Sequence, residues 1–135
     1  MKKIIVVWCF VLMAVCFGGC SLLSEERVKL RDLDFTVLSE EKIPQELAEI
    51  IAEKKQEPFK LTYSDNTFLY ICIGYGVQET GGYSIAVNQL YLTDTAVCVN
   101  TSLLGPSPEE MTNKAPSYPY IVIKTELLDK TVIFE

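Results

Sequence analysis

The sequence predicts an α+β fold that is mainly β, in which one helix packs on an antiparallel sheet or on a small β-sandwich. Three observations lead to this fold class. Strand-like runs fill most of the chain after residue 58, only one segment has its apolar residues at helical spacing, and the turns between most successive runs are short.

Strand composition, rich in β-branched and aromatic residues, recurs in six runs after residue 58 and in one run before the helix. Ser64, Asp65 and Asn66 form a turn signal after the first of the six runs, and Thr93 with Asp94 forms another after the third. Strands joined by short turns pair in antiparallel fashion, so we expect an antiparallel arrangement. The runs are LDFTVL at 33–38, FKLTY at 59–63, TFLYICIGY at 67–75, YSIAVNQLYL at 83–92, TAVCVNTSL at 95–103, YPYIVIKTE at 118–126 and KTVIFE at 130–135.

The helix is predicted at residues 43–55, where Pro44 suits the first helical position and Lys54 and Lys55 suit the negative end of the helix dipole. Its apolar stripe must pack on another element, and a sheet is the available partner. The stripe consists of Ile43, Leu47, Ile50 and Ile51.

The N-terminus has the organisation of an export signal. Lys2 and Lys3 precede an apolar run over residues 4–17, and two glycines then lead to Cys20. A cysteine directly after small residues resembles the bacterial lipobox, in which the peptidase cuts before the cysteine and its sulfur carries diacylglycerol. We therefore predict a signal peptide at 1–19, a lipidated tether at 20–32 and a folded domain at 33–135.

An uncleaved transmembrane anchor is the alternative, but the apolar run is shorter than the roughly 20 residues that span a bilayer. The lipoprotein interpretation places the domain at the cell membrane, facing outside the cytoplasm, through the diacylglycerol on Cys20. The compartment that the domain faces is either the exterior of a Gram-positive cell or a periplasm.

Composition excludes several functions. The formal charge is −6, and the signal contributes the two positive charges of Lys2 and Lys3, which leaves −8 on the rest of the chain. Such an acidic body repels nucleic acid and anionic lipid surfaces. The chain also has no histidine, the commonest general base and zinc ligand. We expect no nucleic acid, no metal and no cofactor.

Two cysteines, Cys72 and Cys98, lie in the body of the domain, each inside an apolar strand-like run. An exported pair can form a disulfide, whereas buried free cysteines act as small hydrophobic residues. The sequence leaves both states open.

Two segments stand out as loops. Gly81 and Gly82 precede a strand led by Tyr83, where glycines allow positive φ and a close backbone approach, although a plain hairpin bend uses the same residues. The second segment covers residues 103–117 and is rich in proline and glycine. A loop of about 15 residues in so small a domain is either functional or mobile.

The stretch Thr80-Gly81-Gly82-Tyr83-Ser84-Ile85 resembles the marker of the PrcB family, the small protein subunit of a bacterial surface protease complex. The Gly105-Pro106 and Pro108 stretch and the Tyr118-Pro119-Tyr120 strand follow in the order that the family shows. The resemblance covers residues 63–124. It implies a lipoprotein that associates with a subtilisin-like protease and supports its assembly, maturation or stability.

We therefore predict a non-catalytic accessory or binding subunit with a protein partner, a secreted or surface protease. Loops that combine backbone and aromatic contacts suit this role, and Tyr75, Tyr118 and Tyr120 are candidate aromatic anchors or, alternatively, core tyrosines. The predicted partner-binding residues are Thr80, Gly81, Gly82, Tyr83, Gly105, Pro106 and Pro108.

Two other classes of function compete with this prediction. Glycine and proline loops at one end of a sandwich are also typical of small protease inhibitors of the chagasin type. An enzyme would have to use Ser39 and Lys42 as a Ser-x-x-Lys motif, but the partner motifs that such chemistry requires are missing from the sequence.

Overall fold

The computed structural model describes residues 28–110 and 114–135. The predicted signal peptide, Cys20 and the tether up to residue 27 lie outside these residues. No helix within the described ranges is long and apolar enough to cross a membrane. The elements in chain order are β1 (Arg31–Asp32), β2 (Phe35–Val37), a 3₁₀ helix (Glu40–Lys42), α1 (Gln45–Lys54), β3 (Pro58–Ser64), β4 (Phe68–Tyr75), β5 (Ser84–Leu92), β6 (Ala96–Leu104), β7 (Tyr120–Glu126) and β8 (Thr131–Phe134).

The strands form a sandwich of two four-stranded sheets, which confirms the mainly β fold class. Sheet 1 has the order β1-β5-β6-β8, and sheet 2 has the order β2-β7-β4-β3. All pairings are antiparallel except that of β8, which runs parallel to β6. The antiparallel arrangement expected from the short turns is confirmed for the five other pairings. Strand β8 departs from it because the chain crosses from sheet 2 to sheet 1 before it reaches this strand.

The main core fills the space between the two sheets. Strand alternation directs every second side chain inward, as the directly paired Ile71 and Ile123 of sheet 2 and Leu90 and Val99 of sheet 1 illustrate. The ten buried core residues are Leu33, Leu69, Ile71, Ile73, Leu90, Leu92, Val97, Val99, Ile121 and Ile123.

Helix α1 covers the outer face of sheet 2. Leu47 and Ile51, both buried, pack against Tyr70, Cys72 and Val122. Full burial of a large aliphatic side chain contributes about 1.5 to 3 kcal/mol, so this second core explains why a short helix is stable here.

The predicted start of the helix is wrong by two residues. Pro44 precedes α1 instead of occupying its first turn, and Gln45 is the first helical residue. A proline disfavours the helical conformation in the residue before it, and Ile43 is extended, with φ −72° and ψ 132°. The preceding acidic residues form the separate 3₁₀ turn.

Both cysteines of the domain are free and buried, so the disulfide alternative is excluded. Cys72 lies under α1 on the outer face of sheet 2, whereas Cys98 lies beside Tyr91 on the outer face of sheet 1. The two packed sheets separate them, and facing sheets are about 10 Å apart, beyond the Cα separation that a disulfide bridges.

The two predicted short turns are confirmed. Asp65 Oδ1 accepts the backbone N–H groups of Thr67 and Phe68, each at 2.7 Å, and closes the turn between β3 and β4. Thr93 Oγ1 accepts the N–H of Ala96 at 2.9 Å in the turn between β5 and β6. Sheet 1 begins before residue 33, the predicted start of the folded domain, because β1 pairs with the end of β5.

Candidate functional site

Two loops cross between the sheets at one end of the sandwich, which we call the loop end. Residues 76–83 lead from β4 in sheet 2 to β5 in sheet 1, and residues 105–119 return from β6 to β7. Gly74 pairs with Tyr120, and Ser84 pairs with Leu104, so the loops leave and enter the sheets side by side. The glycine pair therefore lies in a crossover between sheets and does not form a hairpin bend.

The two crossover loops are hydrogen-bonded to each other. Gln78 and Ser117 exchange both backbone hydrogen bonds, with N to O distances of 2.8 and 3.0 Å. The Ser117 hydroxyl then donates to the carbonyl oxygen of Thr80 at 2.6 Å. The Thr80 hydroxyl donates to the carbonyl of Gly81 at 3.0 Å. Gln78 and Thr80 thus attach the first crossover loop to Ser117 of the second.

Two glycines in the described part of the chain have positive φ, and both belong to the loop end. Gly82 has φ 86°, and Gly76 has φ 77°. A side chain at Gly76 would also lie 2.8 Å from the Pro58 ring, so this position excludes other residues for two reasons. Gly81, although adjacent to Gly82, is not held in a left-handed conformation.

The predicted residues Tyr83 and Gly105 meet between the loops. A Cβ atom added to Gly105 would lie 3.2 Å from Tyr83 Cε1, which is tighter than ordinary van der Waals contact. Glycine at position 105 therefore lets the second loop approach the Tyr83 ring. The structure brings the two predicted contact segments together around this ring.

The surface of the loop end combines apolar, glycine and acidic groups. Two large apolar side chains, Val77 and Leu104, are exposed there. Gly82 and the residues at 107–110 are exposed as well, whereas Pro106 is half-buried. The exposed acidic residues of these loops are Glu79, Glu109 and Glu110.

The three candidate tyrosines occupy different environments. Tyr75 is half-buried against the main core and shares a hydrogen bond of 2.6 Å with Thr101 Oγ1. The half-exposed Tyr118 has the Lys55 ammonium 5.5 Å from its ring centroid. Tyr120 packs in the core beneath α1. Of the three rings, that of Tyr118 pairs with a cation at the loop end.

Tyr120 has a raised pKa. Burial disfavours its phenolate, and the Glu40 carboxylate near its hydroxyl raises the pKa further. The hydroxyl donates to Glu40 Oε1 at 3.4 Å. Tyr120 is therefore a neutral hydrogen-bond donor at ordinary pH.

A cavity of about 510 Å³ lies below the loop end, between the start of β3, the end of β4 and β6. Its polar groups include the Tyr75 and Thr101 hydroxyls, which bond to each other. Within the described residues, no buried polar side-chain atom lacks a hydrogen-bond partner, and no three potential metal ligands converge. The two hydroxyl groups in the cavity are thus already paired with each other, and we take the surface of the crossover loops as the candidate site.

Three residues that organise the loop end were missed by the sequence analysis, namely Gly76, Gln78 and Ser117. Gly76 had a readable signal, because a glycine directly after a strand is typical of a left-handed turn. Gln78 and Ser117 had none, since their importance comes from a pairing between distant segments.

These features define a class of protein: a small β-sandwich covered by one helix, with a loop-built surface suited to protein binding. Residues 69–126 match the family model described as PrcB C-terminal, and this segment contains β4 to β7 and both crossover loops. The match covers 58 of the 135 residues, and it supports membership of this segment in the PrcB family. No curated protein and no solved structure matches the chain.

Proposed function

We propose that this protein is a lipid-anchored, non-catalytic accessory subunit that binds an extracytoplasmic protease and aids its assembly or stability. The resemblance to the PrcB family makes a subtilisin-like enzyme the expected partner. One observation carries the proposal: the two predicted contact segments, at 80–83 and 105–108, meet where Tyr83 lies against Gly105, inside the segment that matches the family.

The loop surface has the physical properties of a protein-binding site. The bonds between Gln78, Ser117 and Thr80 order these three residues before a partner arrives, so less conformational entropy is lost there on binding. The exposed side chains of Val77 and Leu104 offer apolar contact, and their neighbours offer exposed backbone. These properties favour binding over chemistry.

A non-catalytic role also agrees with the available side chains. The chain has no histidine, and Ser39 and Lys42, the Ser-x-x-Lys pair, are both exposed on the 3₁₀ turn and its preceding residue. A nucleophile needs a base within hydrogen-bond reach in a sheltered site, and an exposed pair does not provide this.

The membrane anchor rests on the N-terminal sequence. Cys20 follows two glycines and a short apolar run, and the first residue of the domain core, Leu33, is thirteen residues later. A diacylated cysteine adds about 0.8 kcal/mol of membrane affinity for each buried methylene, which holds a domain at a bilayer without a spanning helix.

An inhibitor of the chagasin type is the second candidate, and the position of both loops at one end favours it. The two roles predict opposite effects on the protease. A loop that occupies an active site abolishes turnover at a stoichiometric ratio, whereas an assembly factor preserves or raises turnover.

The test is chemical crosslinking of the lipidated protein in its native membrane, followed by mass spectrometry of the captured proteins. We expect a serine protease crosslinked near residues 80–83 or 105–108. The Cys20→Ala variant should be absent from the membrane fraction. In the protein that keeps Cys20, mass spectrometry of the N-terminal peptide should detect the lipid on this residue.

A matched pair of variants locates the contact. Ser107→Arg places a bulky charge on the loop end, and Asn66→Arg places the same charge on an exposed turn at the opposite end. Only Ser107→Arg should lower recovery of the protease. Equal recovery with both variants, or reproducible recovery of no protease, would overturn the proposal.

A further inference from the structure

The chain enters the sandwich at the end opposite the loop surface. The Leu30 N–H donates to the Leu92 carbonyl at 2.7 Å, and Arg31 pairs with Leu92 at the end of β5. The loop surface begins at Ser84, the other end of the same strand. We call the opposite end, formed by residues 28–30 and the turns at 65–67, 93–95 and 127–130, the entry end.

The length of β5 separates the two ends. The strand covers Ser84–Leu92, and a rise of about 3.3 Å per residue makes it roughly 26 Å long. The predicted tether joins Cys20 to Leu30, and ten residues reach at most about 35 Å whatever their conformation. If the loop end faced the membrane, these ten residues would have to span the length of β5, which is most of their reach.

The entry segment is firmly attached to both sheets. Arg31 forms an ion pair of 2.7 Å with Glu126 at the end of β7. The Thr125 hydroxyl donates to the Asp34 carbonyl at 2.8 Å, and Leu33 is buried in the main core. The point at which the chain enters the domain is therefore fixed relative to the loop surface.

Of the seven large apolar side chains that are exposed in the described residues, three lie at the entry end and two at the loop end. Val28 and Leu30 are 69% and 59% exposed, and Leu127 is 46% exposed. The ion pair of Arg31 with Glu126 joins the segment of Leu30 to that of Leu127. Exposed apolar groups next to a membrane attachment point favour contact with the bilayer interface, where their burial is favourable.

Electrostatic attraction does not account for contact between the entry end and the lipid. The entry end carries the exposed carboxylates Asp65, Asp94 and Asp129 and two lysines. Lys29 pairs with Asp32 at 2.9 Å, and Lys130 Nζ donates to the Asp94 carbonyl. An acidic end is not attracted to anionic lipid. The occupant of this surface is therefore a zwitterionic lipid interface that contacts the apolar side chains.

We propose that the anchored domain stands on the membrane by its entry end, with Leu30 and Leu127 at the lipid interface and the loop surface directed away from the bilayer. This inference rests on the lipid anchor of the proposed function. It implies that the protease binds the loop surface on the side of the domain that faces away from the membrane.

Fluorescence quenching by spin-labelled lipid measures this orientation. Asn66→Cys and Ser107→Cys place one thiol-reactive fluorophore at the entry end or at the loop end of the lipidated protein in phosphatidylcholine vesicles. Cys72 and Cys98 are buried, so the protein without these substitutions serves as the control for labelling. We expect several-fold stronger quenching at position 66 than at position 107, and no stronger quenching at position 66 when anionic lipid is added.

A second pair of variants tests the apolar contact. Leu30→Glu with Leu127→Glu should reduce quenching at position 66, while Val77→Glu, at the loop end, should leave it unchanged. All three side chains are exposed, so the variants should keep the melting temperature of the parent protein. Equal quenching at positions 66 and 107, or stronger quenching at 107, would overturn the inference.

The orientation can be separated from the proposed function. A version that carries a histidine tag in place of residues 1–19 and Ala at position 20 attaches to vesicles through chelating lipid. If mass spectrometry finds no lipid on native Cys20, the anchor proposal fails, and the tagged version still decides the orientation. If crosslinking finds no protease, the quenching ratio is unaffected.

Discussion

Gln78 and Ser117 exchange both of their backbone hydrogen bonds, although they lie in loops that connect different pairs of strands. This pairing extends the order of the sandwich beyond its strands. Because Ser117 also donates its hydroxyl to Thr80, the loop with the glycine pair depends on the second loop for its conformation. Four predictions follow from the packing around these loops and beneath the helix.

Ser117→Ala should destabilise the loop end. The variant leaves the carbonyl of Thr80 without its 2.6 Å partner, and the loss of one such hydrogen bond costs about 1 kcal/mol. Urea unfolding should show this loss, and hydrogen exchange should be faster in residues 76–83. Ser107→Ala, on an exposed part of the same loop, is the control. Unchanged exchange in residues 76–83 would contradict the prediction.

Gly82→Val should cost more stability than Gly81→Val. Gly82 has φ 86°, where a residue with a side chain is strained by about 1 to 3 kcal/mol, whereas Gly81 has no such requirement. We expect Gly82→Val to melt cooperatively at a lower temperature and to lose partner binding. Calorimetry and the crosslinking yield measure the two effects. Binding that survives in Gly82→Val would exclude this loop as the contact.

Gly74→Ala should lower the free energy of unfolding more than Gly105→Ala. A methyl group at Gly74 would lie 2.1 Å from Phe59 Cε1 and would displace that ring from the core beneath α1. At Gly105 the nearest atom, of Tyr83, is 3.2 Å away, and the exposed loop can yield. Overpacking of this kind costs about 1 to 3 kcal/mol, which denaturant unfolding detects. Equal losses in both variants would show that the Phe59 ring moves freely.

The Cys72 thiol should make stability fall at alkaline pH. Burial under α1 raises its pKa from the ordinary 9.0 to about 12. Between pH 9 and about 12 the folded protein keeps the thiol proton, whereas the unfolded chain releases it. The contribution of the buried thiol to the free energy of unfolding is therefore complete below pH 9 and is lost as the pH rises toward 12. Urea midpoints measured across that range should fall less steeply for Cys72→Ala. Parallel pH profiles for the two proteins would disprove the effect.

Local pattern predicted the elements of this fold well. The run at 59–63 became Pro58–Ser64, and the run at 67–75 became Phe68–Tyr75, because alternation along a strand is a property of neighbouring residues. The helix was found by its stripe of apolar residues, and its start was misplaced only because the effect of Pro44 on Ile43 was overlooked.

The arrangement of the strands was harder to predict. The sequence suggested antiparallel neighbours throughout, yet β4 and β5 lie in different sheets and β8 runs parallel to β6. Short runs of similar composition do not encode which strand each one joins. That choice depends on how two sheets close over a shared core.

The sequence by itself determined most of the strands, the helix, the turn residues and the glycines that allow a left-handed backbone. Only the tertiary structure placed Tyr83 against Gly105, bonded Gln78 to Ser117 and set the chain entry opposite the loop surface. The reason is physical: propensity and alternation act over a few neighbouring residues, whereas these contacts join distant segments whose meeting is decided by burial of one common core.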